Sequence, residues 1–195
     1  MALAADEDET LLHRLQAGEE RAFTDLVERY QGRIAAFLRR MLPRGADVED
    51  AAQAVFTRAW LGMGKFRGEV SLESWLYRIA RNHAIDRLRR KRARPELPLA
   101  SLSEEQESAL HEQTASDEAD PGERFDEDQR ARRAWELLAA LKPEDRALLV
   151  LKEIEGKSLE EISEIVGKRV GAIKVRISRA RKKLREQLEA MENEE

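Results

Sequence analysis

A chain of 195 residues, 38% of them charged and 5% aromatic, has room for one large domain or two small ones with thin cores and heavily solvated faces. Cysteine is absent and the three histidines, His13, His83 and His111, are scattered singly, which excludes a disulfide framework and a zinc site of ordinary ligand spacing. No apolar run approaches the roughly 20 residues of a membrane span, and the opening MALAADEDET is acidic where a secretory signal is basic, so a cytoplasmic protein is expected.

Apolar residues recur at helical spacing from Leu11 onward, without a convincing period-two stretch, which predicts an all-α fold. The first helix is expected over 9–16, ended by Gly18. The second is expected over 20–41, with Phe23, Leu26, Val27, Tyr30, Ile34, Phe37 and Leu38 on its buried face and Pro43 and Gly45 as its stop. Asp47 is placed to cap a third helix in DVEDAAQAVFTRAW, which Gly62 and Gly64 close. A short loop over 65–70 then leads to Ser71, the cap of a helix from Leu72 to about Lys91.

Residues 95–128 hold Pro95, Pro98, Pro121 and Gly122 among Ser, Glu, Asp and Gln, and read as an acidic flexible linker with a transient helix near 104–111. The chain therefore divides into a helical domain over 1–94, the linker over 95–128 and a second helical domain over 129–195. In the second, one helix ends near Leu141, the next opens at Pro143 and ends at Gly156. Ser158 and Glu161 form a capping-box pattern for a short helix to Val166, Gly167 makes a turn, and a last helix runs from Val170 to about Met191.

The formal net charge of -4 hides a separation of sign along the chain. From Arg78 to Arg94 eight Arg or Lys face Asp86 alone, and from Lys168 to Arg185 there are nine Arg or Lys and no acid. Between them, Ser101 to Arg130 holds eleven Asp or Glu against Arg124 and Arg130. One such basic run is ordinarily a solvated helix face. Two, each closing a separate helical unit, point to an anionic polymer as ligand.

A short capped helix, a glycine turn and a basic helix form the helix-turn-helix arrangement, in which the second helix lies in the major groove. Val170, Ile173, Ile177, Ala180 and Leu184 share the core side of the last helix. Ala172, Val175, Ser178, Arg179 and Lys182 lie opposite, and Gly171 permits close approach of a backbone. Ala172 or Val175 suits a thymine methyl and Arg179 a guanine edge. Arg176, Lys174, Arg181 and Lys183 flank this face as phosphate contacts. On the helix beginning at Leu72, Leu72, Trp75, Leu76, Ile79 and Ala80 gather on the apolar side. Arg78, Arg81, Asn82, Arg89 and Arg92 gather on the far side, where an amide among guanidiniums suits a base edge beside phosphates. His83 is expected to pack instead of ligating, and Trp60, Trp75 and Trp135 to lie in the core.

The strings DVEDAAQAVFTRAW, FRGEVSLESWLYRIARNHAIDRLRRKRAR and SLEEISEIVGKRVGAIKVRISRARKKLRE, in this order, closely resemble the extracytoplasmic-function (ECF) sigma factors of bacterial RNA polymerase. The likeness spans nearly the whole chain apart from the linker and the extreme termini. It implies a transcription initiation factor without cofactor or catalysis of its own, whose partners are core RNA polymerase and promoter DNA. The first domain would recognise and melt the -10 element and the second bind the -35 element. Asp50, Gln53 and Thr57 would dock the clamp coiled coil of the polymerase. Lys65, Phe66 and Arg67 in the 65–70 loop would, with Asn82, hold an extruded base, its capture offsetting an unstacking cost of a few kcal/mol. Arg78, Arg81, Arg89 and Arg92 would guide the strands. The linker would thread the polymerase near its RNA exit path. Most members are held inactive by an anti-sigma factor.

This chain departs from the family's habit at Ala51 and Ala54, where Leu and Glu are frequent, and at Ala172 and Val175, where hydroxylated residues are usual. Its linker is also long and acidic for the group. Two other readings compete. A stand-alone helix-turn-helix regulator would have no need of the Asp47–Trp60 docking surface. A nucleic-acid enzyme using Asp86, His83 and Asp50 lacks a carboxylate pair or His/Asp set at ligand spacing, and glycine-rich phosphate loops are absent.

Overall fold

The computed structural model describes residues 2–43, 46–93 and 132–193, and among them every regular element is helical. The linker expected over 95–128 lies outside the described residues. The first half comprises α1 (Ala2–Gln16), α2 (Glu20–Met41), α3 (Val48–Gly62), a 3₁₀ turn (Met63–Lys65) and α4 (Leu72–Ala93). The second comprises α5 (132–139), α6 (Pro143–Leu149) with a π-helical turn (Val150–Ile154), α7 (Leu159–Val166) and α8 (Val170–Glu192).

Helix α1 begins well before the apolar pattern indicates, because polar contacts to α2 extend it. Asp8 accepts a hydrogen bond from the buried Tyr30 hydroxyl at 2.6 Å and pairs with Arg29 at 3.2 Å, while Glu7 pairs with Arg29 at 3.1 Å. Helix α2 buries Leu26, Tyr30, Ile34, Phe37 and Leu38 as expected, against α3 and α4. Each fully buried aliphatic of this set contributes about 1.5–3 kcal/mol. Asp47 caps α3 by accepting from the Asp50 N–H at 2.7 Å, and Ser71 caps α4 by accepting from the Ser74 N–H at 3.1 Å.

In the second half, Pro143 occupies the first turn of α6, where its missing N–H costs nothing. The end of α6 widens into one π turn, which closes with the Glu155 N–H on the Val150 carbonyl at 2.9 Å. The extra residue keeps Val150 and Leu151 in the core and swings Glu155 toward α4. Ser158 and Glu161 complete the capping box of α7 at 3.1 and 2.8 Å, a device whose loss costs about 1 kcal/mol. Gly167 turns at φ +65°, a left-handed conformation that glycine adopts without strain, and releases the chain into α8.

The apolar core does not split into two. Leu26, Phe37 and Tyr77 of the first half and Leu148, Ile162 and Ile173 of the second belong to one continuous cluster. Helix α4 lies between the halves, touching α2 and α3 on one side and α6 and α7 on the other.

Candidate nucleic-acid interface

Two apolar faces on one basic helix explain how α4 is used. Leu72, Leu76, Ala80 and Ala84 are buried, and so are Tyr77, Ile85 and Leu88. The arginines expected on an open far side are therefore only partly open. Arg78 is half-buried and donates to the Glu164 carbonyl of α7. Arg89 is exposed and pairs with Glu144 of α6 at 2.6 Å. Arg81 is half-buried, with its Nε unpartnered, and desolvation lowers its pKa. Arg92 belongs to the last turn of α4, and its side chain lies outside the described residues.

Asn82 remains exposed, and Arg81 donates to its Oδ1 at 2.9 Å. A guanidinium has donors only, so this contact engages the amide oxygen of the exposed Asn82 side chain. Asn82, Arg81, Ile85, Asp86, Arg89 and Glu144 line a polar cavity of about 270 Å³. Glu144 was not singled out from sequence. Burial opposes its ionisation, but its own backbone N–H and the hydrogen bond and charge of Arg89, aided by Arg176, outweigh that and lower its pKa.

On the 65–70 loop, Lys65 and Arg67 are exposed as expected. Phe66 is not. Its ring is buried and stacked on Trp75 with centroids 4.5 Å apart, and its carbonyl accepts from Gln16 Nε2 at 3.3 Å. It anchors the loop from below instead of offering a ring to a base. Gly68 turns the loop at φ +73°, where a Cβ would also lie 3.2 Å from Leu12.

Helix α8 buries Ile173, Ile177 and Ala180 and partly buries Val170 and Leu184, the face read from its periodicity. Gly171, Ala172, Lys174, Val175, Ser178, Arg179 and Lys182 are all exposed on it. Open space surrounds Gly171, so nothing inside the protein demands a glycine there. Three of the expected phosphate contacts are instead engaged within the protein. Arg176 is half-buried and holds Asp145 at 2.8 and 2.6 Å, Arg181 holds Glu153 at 2.5 Å, and Lys183 donates to the Ala140 carbonyl at 3.1 Å. They brace α8 against α6 and its flanks.

On α3, Asp50, Gln53 and Thr57 are exposed along one stripe. Asp50 pairs loosely with Arg87 at 3.6 Å, and the Thr57 hydroxyl bonds back to the Gln53 carbonyl at 2.9 Å. The stripe ends in Trp60, 49% exposed and edge-on to Phe23 at 4.9 Å, and Leu61, 74% exposed. Trp60 was expected in the core. Its helical spacing from Thr57 was the available signal that it continues the exposed stripe. Trp75 stacks on Phe66, and Trp135 is half-buried and donates to the Leu42 carbonyl at 2.9 Å.

His83 of α4 is half-buried with neither ring nitrogen hydrogen-bonded. Burial, then the charges of Arg58, Arg87 and Arg90, lower its pKa from 6.5, with Asp50 opposing. Because the unfolded chain binds the proton first, this group favours folding above about pH 6.5 and loses that contribution as pH falls toward the folded-state pKa. His83→Leu is expected to flatten the pH dependence of the melting temperature between pH 7.5 and 5. Parallel curves for both proteins would contradict it.

Known proteins decide between the competing readings. The sigma-70 region 2 family matches residues 26–94, and the sigma-70 region 4 family matches residues 131–184. The ECF RNA polymerase sigma-E factor of Haemophilus influenzae is 33% identical, covering 94% of this chain and 96% of that protein. The ECF RNA polymerase sigma factor SigW of Bacillus subtilis is 33% identical over 91% of this chain and 94% of that protein. The chain belongs to the ECF sigma factors. This sigma factor directs RNA polymerase to promoters and recognises them. Its first half matches sigma region 2, which a stand-alone regulator would not need, and the family consists of initiation factors that are not known as enzymes.

The fold of this sigma factor is similar to that of CnrH, solved in complex with the cytosolic domain of CnrY, with a TM-score of 0.67 and 27% identity over 94% of this chain and 97% of that chain. It is also similar to RpoE of Bartonella quintana, solved with the anti-sigma factor NepR, at a TM-score of 0.59 and 24% identity over 86% of this chain and 96% of that chain. No helix among the described residues is long and apolar enough to cross a membrane.

Proposed function

We propose that this sigma factor divides promoter recognition between its two halves. Asn82 and the α4 arginines take the -10 element as a melted strand, and the exposed edge of α8 takes the -35 element as duplex. The observation that carries this reading is the exposed Asn82 side chain, its amide oxygen held by Arg81, at the polar cavity it lines with Arg89. It suits a base edge with phosphates alongside. On α8, the open face at Gly171, Ala172, Val175 and Arg179 has the dimensions and chemistry of a major-groove reader.

The stripe from Asp50 through Gln53 and Thr57 docks core polymerase, and we add Trp60 and Leu61 to it. An apolar anchor beside polar side chains is the composition of a protein-binding hot spot. The division of the chain is 1–94 for polymerase and the -10 element, 95–128 as linker and 129–195 for the -35 element. The factor works in the cytoplasm, supplies no catalytic group, and has an anti-sigma factor as its regulatory partner, as the resemblance implies.

Arg179→Ala tests the second half. We expect about tenfold weaker binding to a duplex bearing the -35 element, with relaxed preference at one base pair and unchanged binding to core polymerase. A loss that is the same for every DNA sequence would assign Arg179 to a phosphate and refute the base contact.

A further inference from the structure

The loop over 65–70 meets α1 at two points. Gln16 donates from Nε2 to the Phe66 carbonyl at 3.3 Å, and a Cβ on Gly68 would lie 3.2 Å from Leu12 Cδ2, so the loop backbone passes directly against that side chain. Leu12 and Gln16 stand four residues apart, on the same face of α1. Their neighbours hold α1 in place. Leu11 and Leu15 are buried in the core, Arg14 pairs with Asp25 of α2 at 2.8 Å, and Asp8 accepts from the Tyr30 hydroxyl at 2.6 Å. Helix α1 is thus a fixed ledge under the loop.

The loop has few holds of its own. The Phe66 N–H closes on the Met63 carbonyl at 3.0 Å, and the Phe66 ring is stacked on Trp75. Beyond Phe66, among the described residues, no backbone–backbone hydrogen bond reaches residues 67–70, where Gly68 turns at φ +73°. Lys65, Arg67 and Glu69 are exposed, and their placement depends on how α1 holds Phe66 and Gly68. A binding loop already held in one conformation loses less freedom when it captures a ligand, so holding it raises affinity without any new contact to that ligand. Gln16 is itself exposed, and truncating it removes no core packing.

We propose that Gln16 is a positioning residue for the -10 element: with Leu12 against Gly68, it fixes the backbone from Phe66 to Gly68 and so sets how well the loop holds an extruded base, without touching DNA or polymerase. The role rests on the reading of 65–70 as the loop that holds this base together with Asn82. A carbonyl only accepts, so position 16 must supply a donor.

Run-off transcription by core polymerase with the full-length variants, on a library of random promoter fragments at about pH 8 with sequencing of the transcripts, tests it. Lys65→Ala with Arg67→Ala, run alongside, is expected to alter the base preference at one position of the downstream motif. Gln16→Ala and Gln16→Glu, whose carboxylate has no donor, are expected to flatten that same position and lower the transcript yield by about threefold to tenfold. Gln16→His, a neutral donor at this pH, is expected to keep the preference. Affinity for core polymerase and the melting temperature stay at the values of the unaltered chain. A uniform loss of yield with the motif unchanged, or a motif as flat in Gln16→His as in Gln16→Glu, would overturn the proposal. An unaltered motif in the Lys65 and Arg67 double variant would refute the loop reading itself. An altered motif there, with Gln16→Ala indistinguishable from the unaltered chain, would refute the role of α1 alone.

Discussion

Asn82→Ala is expected to reduce run-off transcript by about tenfold to a hundredfold while leaving the affinity for core polymerase unchanged. The range follows from about 1–3 kcal/mol for a bidentate base contact. The amide is exposed, so its loss removes no packing, and α4 keeps both its buried faces. The deficit should appear at strand opening, as permanganate reactivity of -10 thymines, and should diminish on a template carrying a premelted -10 bubble. Equal loss of polymerase binding would remove Asn82 from the promoter surface.

Arg146→Ala is expected to cost about 2–5 kcal/mol of stability. Arg146 is 2% exposed and donates from Nε to the Leu138 carbonyl and from Nη1 to the Met41 carbonyl, both at 2.8 Å. Each stranded carbonyl costs about 1–3 kcal/mol. Met41 ends α2, where a cation also meets the negative end of the helix dipole. Chemical denaturation of the full chain measures the loss. A cost under about 1 kcal/mol would mean that Arg146 does not hold the halves together.

What could be read in the sequence follows the range of the interactions involved. The Asp47 and Ser71 caps, the Ser158 and Glu161 box and the Gly167 turn are local, within a few residues, and were legible. So was the open face of α8, because its inward residues Ile173, Ile177 and Ala180 keep strict helical spacing. The packing of the two halves against each other was not legible. Tyr77, Ile85 and Leu88 lie among arginines, and a helix apolar on two sides loses the one-sided pattern that reveals burial. Glu144 and Glu155 looked like ordinary surface acids, since nothing nearby in sequence marks a partner as distant as Arg89 or Tyr77. Phe66 and Trp60 were misplaced for the same reason. Their environments are set by Trp75 and Phe23, residues on other elements.

Run-off transcription by purified core polymerase, with and without this sigma factor, on a library of random promoter fragments tests the central claim most directly. The account predicts new transcripts that begin a fixed distance downstream of a shared two-part motif, with the upstream part altered by Arg179→Ala and the downstream part by Asn82→Ala. Binding of DNA fragments in the same buffer without new transcripts would contradict it.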